Sequence, residues 1–516
     1  MNDMELHTKN KKMKTTYILG FLTFFILMSC GDKFLSLSPK DTLTEENFYL
    51  NESDAQAGLN GAYGMLQREE TFSNVRDAAD VEWAIAGDMY EMDGSANRIE
   101  LHTLAFPATN TILRDMYMGA YLGVSRANIV INKVSAMENI AEESKQLILG
   151  QAKFLRALFY YRLVTYWGGV PLITEILDAS SNLEVSRASA EEVWALIESD
   201  LLAAKTALPK TWTGNNVGKA TTGSALALLI KAALWQEKYE DVVGYGEELI
   251  QLGVHGLVPK FRDVFSEENE NNEEILFSTQ FRPSQDSEGN NLVKRTAPRG
   301  APSEFTGGAA WSNFVPQQHW VNTFEKDDQG KIKDKRYWDV IIGPGEPHQN
   351  MPAFVMPNEV PTGWSKTGYI VTKYWEKPTI NNSGINAPIM RFSEALLNYA
   401  EALNEIGRTS DAIVQINKVR ERAGLDQLSA GLGKEETLDA IFKERRVEFI
   451  WEPTGGFSDL NRRGRFIDFI RKERPNINDL NVDQKPWLHT RPIVFPIPRE
   501  AWDRNKALEQ NPNYTF

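Results

Sequence analysis

The sequence predicts a mainly α-helical fold, in which tetratricopeptide-like helical hairpins form a scaffold that carries a long loop-rich insertion and few short strands. Three observations predict it. Apolar residues recur at three- and four-residue steps in several separate segments, which places them on one face of a helix. The helices come in pairs of close to 34 residues, seen most cleanly in RFSEALLNYAEALNEIGRTSDAIVQINKVRERAGL from Arg391 to Leu425. Between Leu257 and Pro388 the period disappears.

At the amino end, Lys9, Lys11, Lys12 and Lys14 precede an apolar run from Tyr17 to Met28, followed by Ser29 and Cys30. Twelve residues span about 18 Å as a helix, short of the ~30 Å bilayer core, so residues 1–29 read as a secretory signal that starts at Met1 or Met13. Leu27-Met28-Ser29-Cys30 resembles the lipobox of bacterial lipoproteins, in which the peptide is cut before the cysteine and lipid is attached to it. Cys30 is the chain's only cysteine, which excludes an intrachain disulfide and a Cys-based metal site. Acyl chains on Cys30 would hold the protein at a membrane through about 0.8 kcal/mol per buried methylene.

Residues 31–50 are polar and turn-prone, a tether to the first helix at Ser53–Gln67. From Arg76 to Thr111 no period is sustained. Trp83, Asp88, Tyr90, Asp93, Asn97, Arg98 and His102 stand there among glycines, the composition of an exposed loop able to carry contacts. Helical periodicity returns at Leu113–Val134 and Gln146–Trp167, which Gly168-Gly169-Val170-Pro171 stops. Further helices follow at Glu191–Ala204, Thr222–Gln236 and Tyr239–Leu252. The insertion holds strand-like runs at Glu274–Gln280 and Tyr369–Trp375, and five of the 13 tryptophans. A loop region of this length in a compact protein is usually functional.

In the Arg391–Leu425 hairpin, Gly407 supplies the turn, Ser410 or Asp411 caps the second helix, and Gly424 lies just past its end. Ala400 and Ala412 stand where the two helices approach. Another helix runs from Thr437 to Ile450, and the tail from Pro486 is extended and rich in Pro and Trp. The expected organisation after the signal is a single α-helical domain over 30–516, made of a helical part at 30–252, a ligand-side insertion at 253–390, and a second helical part and tail at 391–516.

The formal charge of -14 argues against nucleic acid, whose binding rests on Lys and Arg neutralising phosphates. The six histidines show no metal-ligand spacing, and no nucleophile elbow, phosphate loop or dinucleotide fingerprint occurs. No cofactor is expected. Carboxylate pairs abound in so acidic a chain, so they carry no signal for a glycosidase. Loop aromatics say more, because sugar rings stack C–H faces on Trp and Tyr while their hydroxyls ask for Asp, Asn, Arg and His; peptides use the same platforms.

Several separated blocks resemble the SusD/RagB family of Bacteroidetes outer-membrane nutrient-binding lipoproteins. They are the lipobox ending in Cys30, AKFLRALFYYRLVTYWGGVPLI from Ala152, MRFSEALLNYAEALNEIG with INKVRERAGL, ERRVEFIWE followed by FSDLNRRG, and PIPREAWDRNKALEQNPNY. The chain departs from the family's pattern at Arg463, where Trp is common, and at Asn513, where Gly is usual.

The resemblance implies a non-enzymatic, cell-surface, lipid-anchored protein of the outer membrane. It would bind an oligosaccharide or polysaccharide and deliver it to a TonB-dependent SusC-like transporter as partner. By position, ligand contacts fall in Trp83–Arg98 and Trp311–Tyr369. The expected binding residues are Trp83, Asp88, Tyr90 and Arg98 with Trp311, His319, Trp320 and Trp338, the aromatics stacking on sugar faces and Arg98 meeting an acidic sugar. Three other readings stand beside this one: capture of peptides, a surface glycoside hydrolase, and a structural lid whose ligand contacts lie in the transporter.

Overall fold

A computed structural model describes residues 48–68, 76–92, 94–177, 183–283, 288–377, 383–474 and 482–516. The signal segment and Cys30 lie outside these residues.

Several helices begin where the sequence offers a cap. Helix α1 (Glu52–Tyr63) starts at Asn51, whose side chain accepts from the Asp54 amide. Asn110 likewise accepts from the Ile112 and Leu113 amides at the start of α2 (Thr111–Ser135). Then come α3 (Glu142–Trp167), α4 (Ala190–Ala207), α5 (Thr222–Trp235) and α6 (Tyr239–Gln251). Ser189 and Glu192 close a reciprocal capping box at the start of α4.

Consecutive helices pack side by side from α2 through α6, with α1 against α2 and α3. The order continues across the insertion, because α6 packs directly on α7 (Phe392–Glu405), which pairs with α8 (Thr409–Arg422) and α9 (Lys434–Glu448). The chain leaves the helical stack after α6 and re-enters it at the next position. Its insertion is a layer added to the stack and does not break it.

In the α7–α8 hairpin, Gly407 (φ 85°) and Gly424 (φ 74°) occupy the left-handed conformations that end the two helices. Ala400 and Ala412 are fully buried between them. The cap differs from expectation. α8 begins at Thr409, without a side-chain cap, and Asp411 instead binds the Arg408 guanidinium at 2.7 Å. Asn513 (φ 69°) adopts a left-handed conformation that asparagine tolerates better than most residues, which explains how it replaces glycine there.

Strands are few and short. β1 (Met89–Glu91) pairs antiparallel with β3 (Phe314–Pro316), β2 (Ile275–Thr279) with β6 (Ala387–Arg391), and β4 (Ile341–Ile342) with β5 (Ile370–Val371). The β2–β6 ladder closes the base of the insertion beside α7, so the segment leaves and returns at one place.

The 76–111 stretch is a correction. It is not an exposed loop: it forms a π-helical turn at Arg76–Trp83, β1, and a short helix at Ala96–His102, with Asp80, Glu82, Trp83 and Asp88 all buried. Its polar composition hid its depth because the charges are paired internally: Asp80 with Arg98 at 3.1 Å, and Glu82 with the Tyr166 hydroxyl at 2.9 Å.

Gly123 marks the tightest approach of α2 to α3. A Cβ there would lie 2.4 Å from the Phe159 ring, whose residue is wholly buried. Gly123→Val is therefore expected to lose about 1–3 kcal/mol or more by overpacking, read as a lower urea midpoint with unchanged slope.

Candidate functional site

The site is built where β1 meets β3. Met89 faces Pro316, Tyr90 faces Val315 and Glu91 faces Phe314, so one short ladder joins the two segments from which binding residues were expected. Further backbone bonds extend it at both ends: the Gln317 amide donates to the Asp88 carbonyl at 2.9 Å and the Met92 amide to Asn313 at 2.8 Å.

Beneath the ladder lies a locked interior. Asp88 receives Arg446 at 2.5 Å and His319 Nε2 at 3.1 Å. Burial pushes the Asp88 carboxyl up, but Arg446 and then His319 outweigh it and hold the group below its usual value. Trp83 Nε1 donates to the Glu452 carbonyl at 2.9 Å, and Trp320 Nε1 to the Arg446 carbonyl at 3.0 Å. Neither ring has exposed area. The assignment of Trp83 and Trp320 as sugar platforms is corrected on that ground, as is that of Asp88, whose oxygens are committed to internal cations. Arg98 is largely buried too, bound to Asp80 and 5.7 Å from the Phe314 ring centre.

Above it, a rim of aromatics reaches the surface. Tyr90 is half-buried, with the His102 ring edge-on at 5.9 Å and Lys366 Nζ 5.1 Å over its face. Trp311 is 37% exposed, with Lys294 Nζ 4.5 Å over its ring. The Trp311 amide donates to the Lys294 carbonyl at 2.8 Å, and its own carbonyl receives Arg299 Nε and Nη2 at 3.2 and 2.8 Å.

Trp364, half-buried, joins this rim because the Ser312 hydroxyl donates to its carbonyl. Its ring stacks on Phe354 at 6.2 Å and 18°. Trp338 packs edge-on against Tyr337 at 4.9 Å and has no contact with the Trp311 rim among those the structure shows. The Glu91 side chain and Asp93 lie outside the described residues.

Of the eight expected residues, Tyr90 and Trp311 are partly exposed on the two segments that the β1–β3 ladder joins, His319 and Arg98 are largely buried against Asp88 and Asp80, and Trp83, Asp88 and Trp320 lie in the interior. Trp364 and Lys366 fall within the expected Trp311–Tyr369 region but were not singled out, and Lys294 and Arg299 lie outside it. A usable signal lay in Trp364-Ser365-Lys366, a tryptophan with a cation two residues on in a turn-rich loop. The arrangement offers aromatic faces, hydroxyls and cationic donors. Among the described residues no group of three or more His, Cys, Asp or Glu could hold a metal ion, and no helix is long and apolar enough to cross a membrane.

Comparison with known proteins adds context. Residues 273–514 match the sequence model of the SusD family, and residues 33–234 match that described as starch-binding associating with outer membrane. SusD-like protein P2 of Formosa agariphila is 27% identical over 98% of this chain and 100% of its own length. A SusD superfamily protein from Bacteroides vulgatus superposes with a TM-score of 0.76 at 23% identity, covering 90% of this chain and 100% of the other. A laminarin-binding SusD-like protein does so with 0.73 at 24% identity and the same coverage.

Asp88 is held ionised below its ordinary pKa of 3.8, so it contributes stability that is fully present above that pH and is lost as pH falls through the lower folded value. Asp88→Asn leaves Arg446 with its buried partner removed and is expected to cost about 3–5 kcal/mol at neutral pH. The gap between the melting curves of the two proteins is expected to stay constant above the ordinary carboxyl pKa of 3.8 and to begin to narrow only as pH falls below it.

Proposed function

The chain belongs to the SusD family, and on that premise we propose that it is a cell-surface lipoprotein that binds an oligosaccharide or polysaccharide without altering it and delivers it to a TonB-dependent SusC-like transporter. The observation that carries the binding step is the rim of Tyr90, Trp311 and Trp364. Each is partly exposed; Tyr90 lies in β1, Trp311 stands three residues before β3, and the Trp364 carbonyl is tied to the Ser312 hydroxyl next to Trp311. Sugar C–H faces stack on such rings, and the neighbouring Lys and Arg donors meet hydroxyl oxygens. Lipid attachment at Cys30 supplies the anchor in this reading, and the stacked helices the scaffold.

An importer works by capture and release. Stacking worth about 0.5–1.5 kcal/mol per aromatic gives micromolar or weaker affinity, fast enough to hand a ligand on. Peptide capture and surface hydrolysis remain as outcomes of the test, because the same rings would take a peptide and a hydrolase would release new reducing ends.

Isothermal titration of the purified protein against glycan and peptide pools tests the reading, and binding to peptides alone would overturn it. Tyr90→Ala with Trp311→Ala is expected to weaken glycan binding about tenfold or more while leaving the melting midpoint within a few degrees. Trp320→Ala is expected to behave oppositely, costing about 3–5 kcal/mol of stability by opening a core cavity.

A further inference from the structure

The chain is acidic, with 70 Asp and Glu against 56 Lys and Arg, and many of the cations of its interior are matched by carboxylates. Arg336, Arg391, Arg445 and Arg462 each hold at least one. The rim around Trp311 departs from both trends. Lys294 and Arg299 stand at Trp311 and Lys366 over Tyr90, and among the described residues none of the three pairs with a carboxylate; their contacts are two aromatic faces and a backbone carbonyl.

These cations are placed by the backbone and are not merely strewn over the surface. The Trp311 amide is bonded to the Lys294 carbonyl, and the next residue, Ser312, donates its amide to Ala297 at 3.1 Å. The Ser312 hydroxyl reaches the Trp364 carbonyl, two residues before Lys366. Arg299 is fixed by its two bonds to the Trp311 carbonyl, which leave its remaining N–H groups free to donate.

An ammonium over a ring face competes with a sugar for that face. A neutral sugar must displace it or use the other side. A sugar carrying an anionic group stacks and at the same time brings its charge to an ammonium already in place, while a guanidinium beside it presents a fork suited to carboxylate or sulfate. The rest of so acidic a protein repels a polyanion, so unmatched cations at one rim make that rim the favoured place of approach.

Building on the glycan-binding reading, we propose that this rim selects anionic glycans, sugar chains bearing carboxylate or sulfate groups, with Lys294, Arg299 and Lys366 as the residues that recognise the charge.

The test titrates the full mature chain with oligogalacturonate, a sulfated carrageenan oligosaccharide and a neutral laminarin oligosaccharide of matched length, at about 0.05 and 0.5 M salt. At least one anionic chain is expected to bind about tenfold more tightly than laminarin at low salt and to lose about tenfold at high salt; which of the two binds tells carboxylate from sulfate. Lys294→Gln with Lys366→Gln is expected to abolish that preference at an unchanged melting midpoint, and Lys294→Arg with Lys366→Arg to keep it. Laminarin binding as well as or better than both anionic chains, or an anionic affinity indifferent to the glutamine pair, overturns charge selection and leaves glycan binding standing. Binding of none of the three overturns the glycan reading together with it.

Discussion

The structure depends on a cluster of charges buried around Glu444–Glu452. Arg391, at the junction of β6 and α7, binds Glu274 at 2.5 Å, Glu448 at 3.0 Å and Glu452 at 2.7 Å. Arg336 binds Asp334, Glu444 and Glu448, Arg422 binds Glu274 and Glu448, and Lys373 binds Glu452. Burial opposes ionisation of Glu448, but Arg422, Arg391 and Arg336 together hold its carboxyl well below the usual range. Each ion buried alone would cost several kcal/mol, and only the complete set offsets that cost. The partners come from the insertion (Glu274, Asp334, Arg336, Lys373) and from the helical stack (Arg391, Arg422, Glu444, Glu448), so neither part satisfies its charges without the other.

That coupling reaches the binding rim through main-chain carbonyls. The 444–452 block receives Trp83 Nε1 at Glu452 and Trp320 Nε1 at Arg446, and Lys373 Nζ donates to the carbonyls of Glu448 and Ile450. The two tryptophans that resemble ligand platforms in the sequence are thus bolts between the loops and the charged block. Under the proposed binding role, holding the loops in this way would reduce the ordering cost of binding.

The scaffold was legible because periodicity is local: Phe392, Leu396, Tyr399 and Leu403 report a helix face whatever lies around them, and Gly407 and Gly424 mark its ends without reference to partners. The strands at Ile275–Thr279 and Ile370–Val371 fall inside the runs that the sequence suggested. Depth in the aperiodic segments was not legible, since it depends on partners far along the chain. Asp88 is buried against Arg446, 358 residues further along the chain, and Glu82 against Tyr166 and Ser458, 84 and 376 residues further along. A count of tryptophans does not tell Trp320 from Trp311. The rim cations escaped notice for the same reason: a lone lysine is unremarkable until the fold sets a ring beneath it.

The boundary between bolt and platform is decided over two residues. Asp88 and Met89 are fully buried, whereas Tyr90 reaches the surface beneath Lys366. A three-residue ladder is too short to fix its own register. What fixes it is the Asp88 side chain, clamped by Arg446 and His319, together with the flanking Gln317–Asp88 and Met92–Asn313 backbone bonds. In the proposed binding role Asp88 would act without touching the ligand: the ion pair that ties this segment to Arg446 and His319 sits two residues before Tyr90, and the burial that makes the pair costly to break would keep Tyr90 in place.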